Sequence, residues 1–122
     1  MRFDHLALAV RDPDRSLSFY TEVLGLTGTT RREDDGLLLT TPEGFVLALL
    51  DGEPPQLAAP FHFGISAAMP EEVRATRRRL QALGVEESAW ADEANYVSTK
   101  VRDPDGYVVE ISWEPADHPT TA

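Results

Sequence analysis

Apolar and polar positions alternate in two matching stretches of the chain. In Asp4-His5-Leu6-Ala7-Leu8-Ala9-Val10, every second residue after the histidine is large and apolar (Leu6, Leu8, Val10), while Ala7 and Ala9 are small. The stretch Phe61-His62-Phe63-Gly64-Ile65-Ser66-Ala67 repeats the scheme, with Phe63, Ile65 and Ala67 set against Gly64 and Ser66. A period of two is that of a strand, whose successive side chains point to opposite faces. Each stretch therefore predicts a strand that packs one face and leaves the other, on the side of its histidine, hollow.

Helical spacing follows both strands. Asp12-Pro13-Asp14 supplies an N-cap, a proline at the first helical position and an early acid, and Leu17, Tyr20 and Leu24 continue at helical intervals until Gly25. Pro70-Glu71-Glu72 opens the second helix, Val73, Thr76, Leu80 and Leu83 form its stripe, and Gly84 ends it. The basic run Arg77-Arg78-Arg79 falls around its outer side and reads as a solvated helix face.

Each copy closes with a turn and a strand. Thr41-Pro42-Glu43-Gly44 leads into Phe45 to Leu50, and Asp103-Pro104-Asp105-Gly106 leads into Tyr107 to Trp113. Gly36 to Thr40 and Tyr96 to Arg102 are the strands before these turns, with weaker strand signals at Thr27 to Arg32 and Ser88 to Asp92. The histidines, the helix-ending glycines and the turn glycines recur in one order at nearly constant spacing, so the chain is one unit written twice. The expected fold is α+β, two βαβββ modules spanning residues 1–50 and 60–115. A linker at 51–59 around Asp51-Gly52-Glu53-Pro54-Pro55-Gln56 joins them, and a mobile tail at 116–122 follows. Neither unit can bury a sheet face alone, so the two should pair into a single domain.

Composition narrows the chemistry. The 122 residues are 42% hydrophobic and 26% charged, an ordinary globular balance. No apolar run approaches the roughly 18 residues of a membrane span. Met1-Arg2-Phe3-Asp4-His5 lacks the apolar run of a signal peptide, so the expected location is cytoplasmic, with no membrane partner. Eleven basic and twenty-one acidic residues give a formal charge of −10, which disfavours nucleic acid as a partner. With no cysteine, thiol nucleophiles, zinc fingers and iron–sulfur clusters are excluded, and any metal is expected to be held by histidine and carboxylate.

Glu110, inside Val108-Val109-Glu110-Ile111, is an unusual residue for a strand interior. By alternation it shares a face with Val108 and Ser112. Alone it reads first as a carboxylate on the wet side of a half-buried strand. Together, His5 and His62 at the heads of equivalent strands and Glu110 late in another make the donor set of a facial metal triad. Ala7, Ala9, Leu38, Val46, Ala48, Leu50, Gly64, Ser66, Val108 and Ser112 would line a small-residue, largely apolar chamber. Tyr96, Ser98 and Lys100 would form its polar lip. There Lys100 would pair with a substrate anion, or else with a surface acid, and Tyr96 would donate a hydrogen bond or a proton. Trp90 and Trp113 read as packing or dimer contacts.

The order His5, Phe19-Tyr20 to Leu24-Gly25-Leu26, His62, Asp103-Pro104-Asp105-Gly106 and Glu110 closely resembles the vicinal oxygen chelate superfamily of glyoxalases, bleomycin-resistance proteins and extradiol dioxygenases. The resemblance covers residues 1 to about 115. It implies two modules whose curved mixed sheets surround a cup, in the catalytic members a divalent metal (Fe, Mn, Ni or Zn) at the cup floor, and usually a homodimer. It places His5, His62 and Glu110 on three of the family's metal positions. The fourth falls on Ala48, which cannot ligate, and this disfavours the glyoxalase I and methylmalonyl-CoA epimerase patterns. Extradiol enzymes also use additional histidines, whereas the one left here is His118, in the tail. Fosfomycin-type thiol transferases usually carry a threonine two residues after the first histidine, where this chain has Ala7. The expected function is a small metal-dependent enzyme that binds an oxygen-chelating substrate, with Glu110 or Tyr96 moving protons. The alternatives are a drug-sequestering protein of the bleomycin-resistance kind and a fosfomycin-type transferase.

Overall fold

The computed structural model describes residues 1–116. The last six residues of the expected tail, His118 among them, lie outside the described residues. The chain divides into two compact units, Met1–Leu57 and the remainder from Ala58, a boundary inside the stretch 51–59.

The first unit holds β1 (His5–Val10), α1 (Pro13–Ser18), β2 (Thr29–Glu33), β3 (Gly36–Thr40) and β4 (Val46–Asp51). Its sheet runs β1-β4-β3-β2, with β1 parallel to β4 and the other pairs antiparallel. Leu8, Val10, Leu37, Leu39, Leu47 and Leu49 are buried, and α1 lies against β3 and β4. The opposite face carries His5 beside Val46, then Ala7 beside Ala48, itself flanked by Leu38. A cavity of about 530 Å³ opens over Leu38, Thr40 and Val46, with Thr29 and Arg31 at its wall.

The first helix is shorter than its spacing predicts. Asp12 caps it through Oδ1, which accepts from the Arg15 amide at 3.2 Å, but the α-helix ends at Ser18 and Phe19–Val23 form a π-helical turn. The Leu24 amide reaches back to the Phe19 carbonyl, and the Leu26 amide to that of Tyr20. The wider turn lets two consecutive aromatic rings be buried, Phe19 meeting Tyr20 edge to face at 5.4 Å. Spacing reveals which residues share a face; it does not reveal that both of these rings are buried.

The second unit repeats the plan with β5 (Phe63–Ser66), α2 (Pro70–Ala82), β6 (Glu87–Glu93), β7 (Tyr96–Arg102) and β8 (Val108–Trp113). Its sheet runs β5-β8-β7-β6, again with the first strand parallel to its neighbour. Helix α2 packs on β7 and β8, and Val73, Leu80, Val97, Val101, Val109 and Ile111 are buried. His62 stands just before β5 rather than within it.

Both loops before the last strands are tight turns. Asp103 Oδ1 accepts from the amides of Asp105 and Tyr107 at 2.9 Å each, and Gly106 takes φ +90°. Gly44 takes φ +87° at the matching place.

A bulge at Ser88 shifts the register of β6 against β7 between Glu87 and Ala89. The shift puts Glu87 and Trp90 on one side, where Arg77 bonds Glu87 through two nitrogens at 2.8 and 3.1 Å and lies 4.1 Å over the Trp90 ring. Thr99 donates to the same carboxylate at 2.7 Å. Arg77 thus leaves the solvated face expected of the Arg77-Arg78-Arg79 run and folds onto the sheet. Arg78 stays exposed and pairs with Glu71.

Candidate metal and substrate site

The site is built on the face of the second sheet opposite the one on which Val109 and Ile111 are buried. Strand β8 places Glu110 in register with Gly64 of β5 on one side and Lys100 of β7 on the other. Gly64 offers no side chain, so the carboxylate extends toward the residue leading into β5. His62 Nε2 stands 3.2 Å from Glu110 Oε1. The other ring nitrogen, Nδ1, lies 2.8 Å from the Pro60 carbonyl. A carbonyl only accepts, so Nδ1 carries the hydrogen, and Nε2 turns toward the carboxylate.

The second carboxylate oxygen is held from β7. Ser98 donates its hydroxyl to Oε2 at 2.5 Å, and the Tyr96 hydroxyl donates to the same atom. Residues two apart on a strand share a face, so Tyr96, Ser98 and Lys100 all present themselves to Glu110. Ser98 is buried, at 4% exposure. The three residues expected to form a lip thus surround Glu110.

Burial alone would raise the Glu110 pKa. The hydrogen bonds from Ser98 and Tyr96, the charge of Lys100 and that of His62 when it is protonated outweigh it, and the carboxyl titrates below its ordinary range. Tyr96 moves the other way: burial and its bond to Glu110 raise its phenol above the ordinary value. The pair at neutral pH is a carboxylate held by a protonated phenol.

His5 belongs to the first unit, at the head of β1. Its Nδ1 lies 2.7 Å from Asp4 Oδ1, so both candidate histidines engage Nδ1, and His62 turns its Nε2 to Glu110. The position equivalent to Glu110 in the first sheet is Ala48, in register with Ala7 as Glu110 is with Gly64. Among the described residues, no three His, Asp or Glu side chains converge as a ready metal group. His62 and Glu110 are the two candidate ligands that come together within one unit.

Residues 2–111 match the model of the Glyoxalase/Bleomycin resistance protein/Dioxygenase superfamily. The chain belongs to this superfamily. A curated relative within reach is the glutathione transferase FosA of Serratia marcescens, 32% identical over 113 residues, 88% of this chain and 77% of that protein. Among solved structures, a possible glyoxalase from Bacillus cereus is 27% identical, with a TM-score of 0.77 over 91% of this chain and 97% of that one. The fosfomycin resistance protein FosX of Listeria monocytogenes is 18% identical, with a TM-score of 0.78 over 96% of each chain, and shares the fold. The two βαβββ modules are those of the superfamily.

Sequence reasoning did not anticipate the two groups that fix the imidazoles, the Pro60 carbonyl and the Asp4 carboxylate. A backbone carbonyl leaves no mark in residue type. Asp4, immediately before His5, was the one legible signal.

Proposed function

We propose that this chain is a divalent-metal enzyme of the superfamily, acting on a small substrate that offers two oxygens to the metal. The observation that carries this reading is the contact between His62 Nε2 and Glu110 Oε1 at 3.2 Å. With Nδ1 committed to Pro60, both facing atoms are acceptors unless a proton or a cation stands between them. The donor set fits a metal: an imidazole oriented by a bond at its far nitrogen, and a carboxylate that stays ionised at neutral pH. His5 is the third proposed ligand by its place in the family pattern, and its Nδ1 is engaged by Asp4 in the same manner. Two imidazoles and one carboxylate suit first-row ions such as Fe, Mn, Ni or Zn.

A divalent ion there supplies Lewis-acid charge to substrate oxygens on which negative charge develops. The chain's own residues would do the rest. Lys100, in register with Glu110, brings a positive charge to an anionic substrate. Tyr96, whose phenol is pushed up, keeps its proton and gives that one hydrogen to Glu110, so it holds the carboxylate and does not act as a base. Gly64 and Ser66, small and exposed on β5, add little bulk on that face. The proposed assembly is a homodimer.

The relationship to the FosA enzyme of Serratia marcescens favours a second reading, transfer of a thiol such as glutathione to an electrophilic substrate. Ala7, where such transferases usually carry threonine, counts against it.

Metal analysis tests the main reading. Protein purified without chelator should hold near-stoichiometric divalent metal, and His62→Ala should lose it; equal trace metal in both overturns the proposal. Mass spectrometry after incubation with glutathione and fosfomycin tests the second reading by the appearance of an adduct. Metal-independent thermal stabilisation by a cationic drug would instead favour the binding-protein alternative.

A further inference from the structure

The two oxygens of Glu110 do different work. Oε2 takes both hydroxyl donors, Ser98 at 2.5 Å and Tyr96, while Oε1 takes neither and faces His62 Nε2. A carboxylate oxygen has two in-plane lone-pair directions, and two donors occupy both on Oε2. Both donors come from β7, whose register with β8 is set by the ladder that pairs Ser98 with Ser112 and Lys100 with Glu110. The hydroxyls are therefore held by the sheet and do not depend on an adjustable loop. Ser98 is buried, so no water competes freely for its bond.

We propose that Tyr96 and Ser98 are positioning residues that reserve Oε2 for the protein and leave Glu110 a one-oxygen metal ligand through Oε1. The inference rests on the metal reading above and adds to it. A carboxylate free to rotate can chelate an ion with both oxygens and fill two coordination positions. Pinned at Oε2, it fills one and leaves the other open to the substrate, as two-oxygen binding by a small molecule requires. This assigns to Ser98 and Tyr96 a part in setting how many positions the substrate can use, apart from any direct contact with it.

The test uses the full chain stripped with chelator, titrated calorimetrically with Mn²⁺ and with Zn²⁺, each alone. The Tyr96→Phe/Ser98→Ala double variant should bind each about 10- to 100-fold more weakly, the usual effect of removing groups that orient a ligand. Ser98→Thr, which keeps a hydroxyl, should bind nearly as the parent does. Tyr96→Phe alone, which preserves shape, should show an intermediate loss and covers the case in which the double variant does not fold. The visible spectrum of the Co²⁺-loaded forms supplies a readout that a general loss of stability would not move. It should change between parent and double variant and be unchanged in Ser98→Thr.

Parent-like affinity and an unchanged Co²⁺ spectrum in both Phe-containing variants would overturn the positioning role while leaving the metal reading intact. A parent that binds neither Mn²⁺ nor Zn²⁺ would overturn both. Equal weakening in Ser98→Thr and the double variant would also overturn it, because the hydroxyl would then be irrelevant.

Discussion

His62 and Glu110 stand 48 residues apart in the chain and 3.2 Å apart in space, Nε2 to Oε1. The contact follows from the parallel pairing of β5 with β8, which aligns Gly64 with Glu110 and sets the residue two before Gly64 over the carboxylate. Glu110→Gln keeps an acceptor for Ser98 and Tyr96 but removes the charge. The variant should lose metal affinity by more than about 100-fold, beyond the usual effect of an outer partner. Its metal-free protein should still unfold cooperatively, with a melting temperature lowered only modestly at pH 7 by loss of the charge the fold favours. Retention of metal under chelator competition would remove Glu110 from the ligand set.

Glu87 supports a prediction about acid stability. The hydrogen bonds from Arg77 lower its pKa from the ordinary 4.5, burial opposes them, and Thr99 and the charge of Arg77 add to the lowering. A carboxyl with a lower pKa folded than unfolded stabilises the protein above its unfolded value. That stability is lost as pH falls through the folded pKa. Glu87→Gln should therefore melt a few degrees lower at pH 7, and the gap should narrow as pH drops below about 4.5. A gap that is constant or widens toward acid would show that the pair contributes nothing through its charge.

The alternation on β4 predicts unequal costs for neighbouring leucines. Leu49 is fully buried on the packed face, between Leu8 and Leu37 in the ladder. Leu50 is half-buried on the opposite face. Leu49→Ala should cost about 2–5 kcal/mol in urea unfolding, and Leu50→Ala clearly less. Equal losses would mean that the two faces do not differ in packing.

Gly106 and Gly44 both take a left-handed backbone, and a Cβ at either would meet nothing within 4 Å. Alanine should therefore cost the conformational penalty alone, about 1–2 kcal/mol at each. The two substitutions, far from any packed neighbour, should agree with each other. A much larger loss at Gly106 would point to a steric contact at that turn.

Much of the plan was legible in residue order. Alternation after His5 and His62 marks the strands and their hollow faces, and Leu8 and Val10 are buried as the pattern requires. The turns at Thr41-Pro42-Glu43-Gly44 and Asp103-Pro104-Asp105-Gly106 were readable because their chemistry is local. Position within a face was readable in part: alternation puts Glu110 with Val108 and Ser112, while Tyr96, Ser98 and Lys100, expected as a polar lip, lie on β7 beside it. The π-helical turn at Phe19–Val23, the bulge at Ser88 and the fold of Arg77 onto Trp90 were not readable. Each depends on which residues lie beneath, and periodicity carries no information about that.

By itself, then, the order of residues determined the repeat, the strand faces and the short set of side chains able to hold a cation, because these follow from local geometry and from chemical type. Only the tertiary structure decided what each polar atom does. Ser98 and Tyr96 turn to one oxygen of Glu110, and Pro60 takes the Nδ1 hydrogen of His62. Hydrogen bonds have direction and a reach of about 3 Å, and strand register fixes both only once β5, β7 and β8 lie side by side.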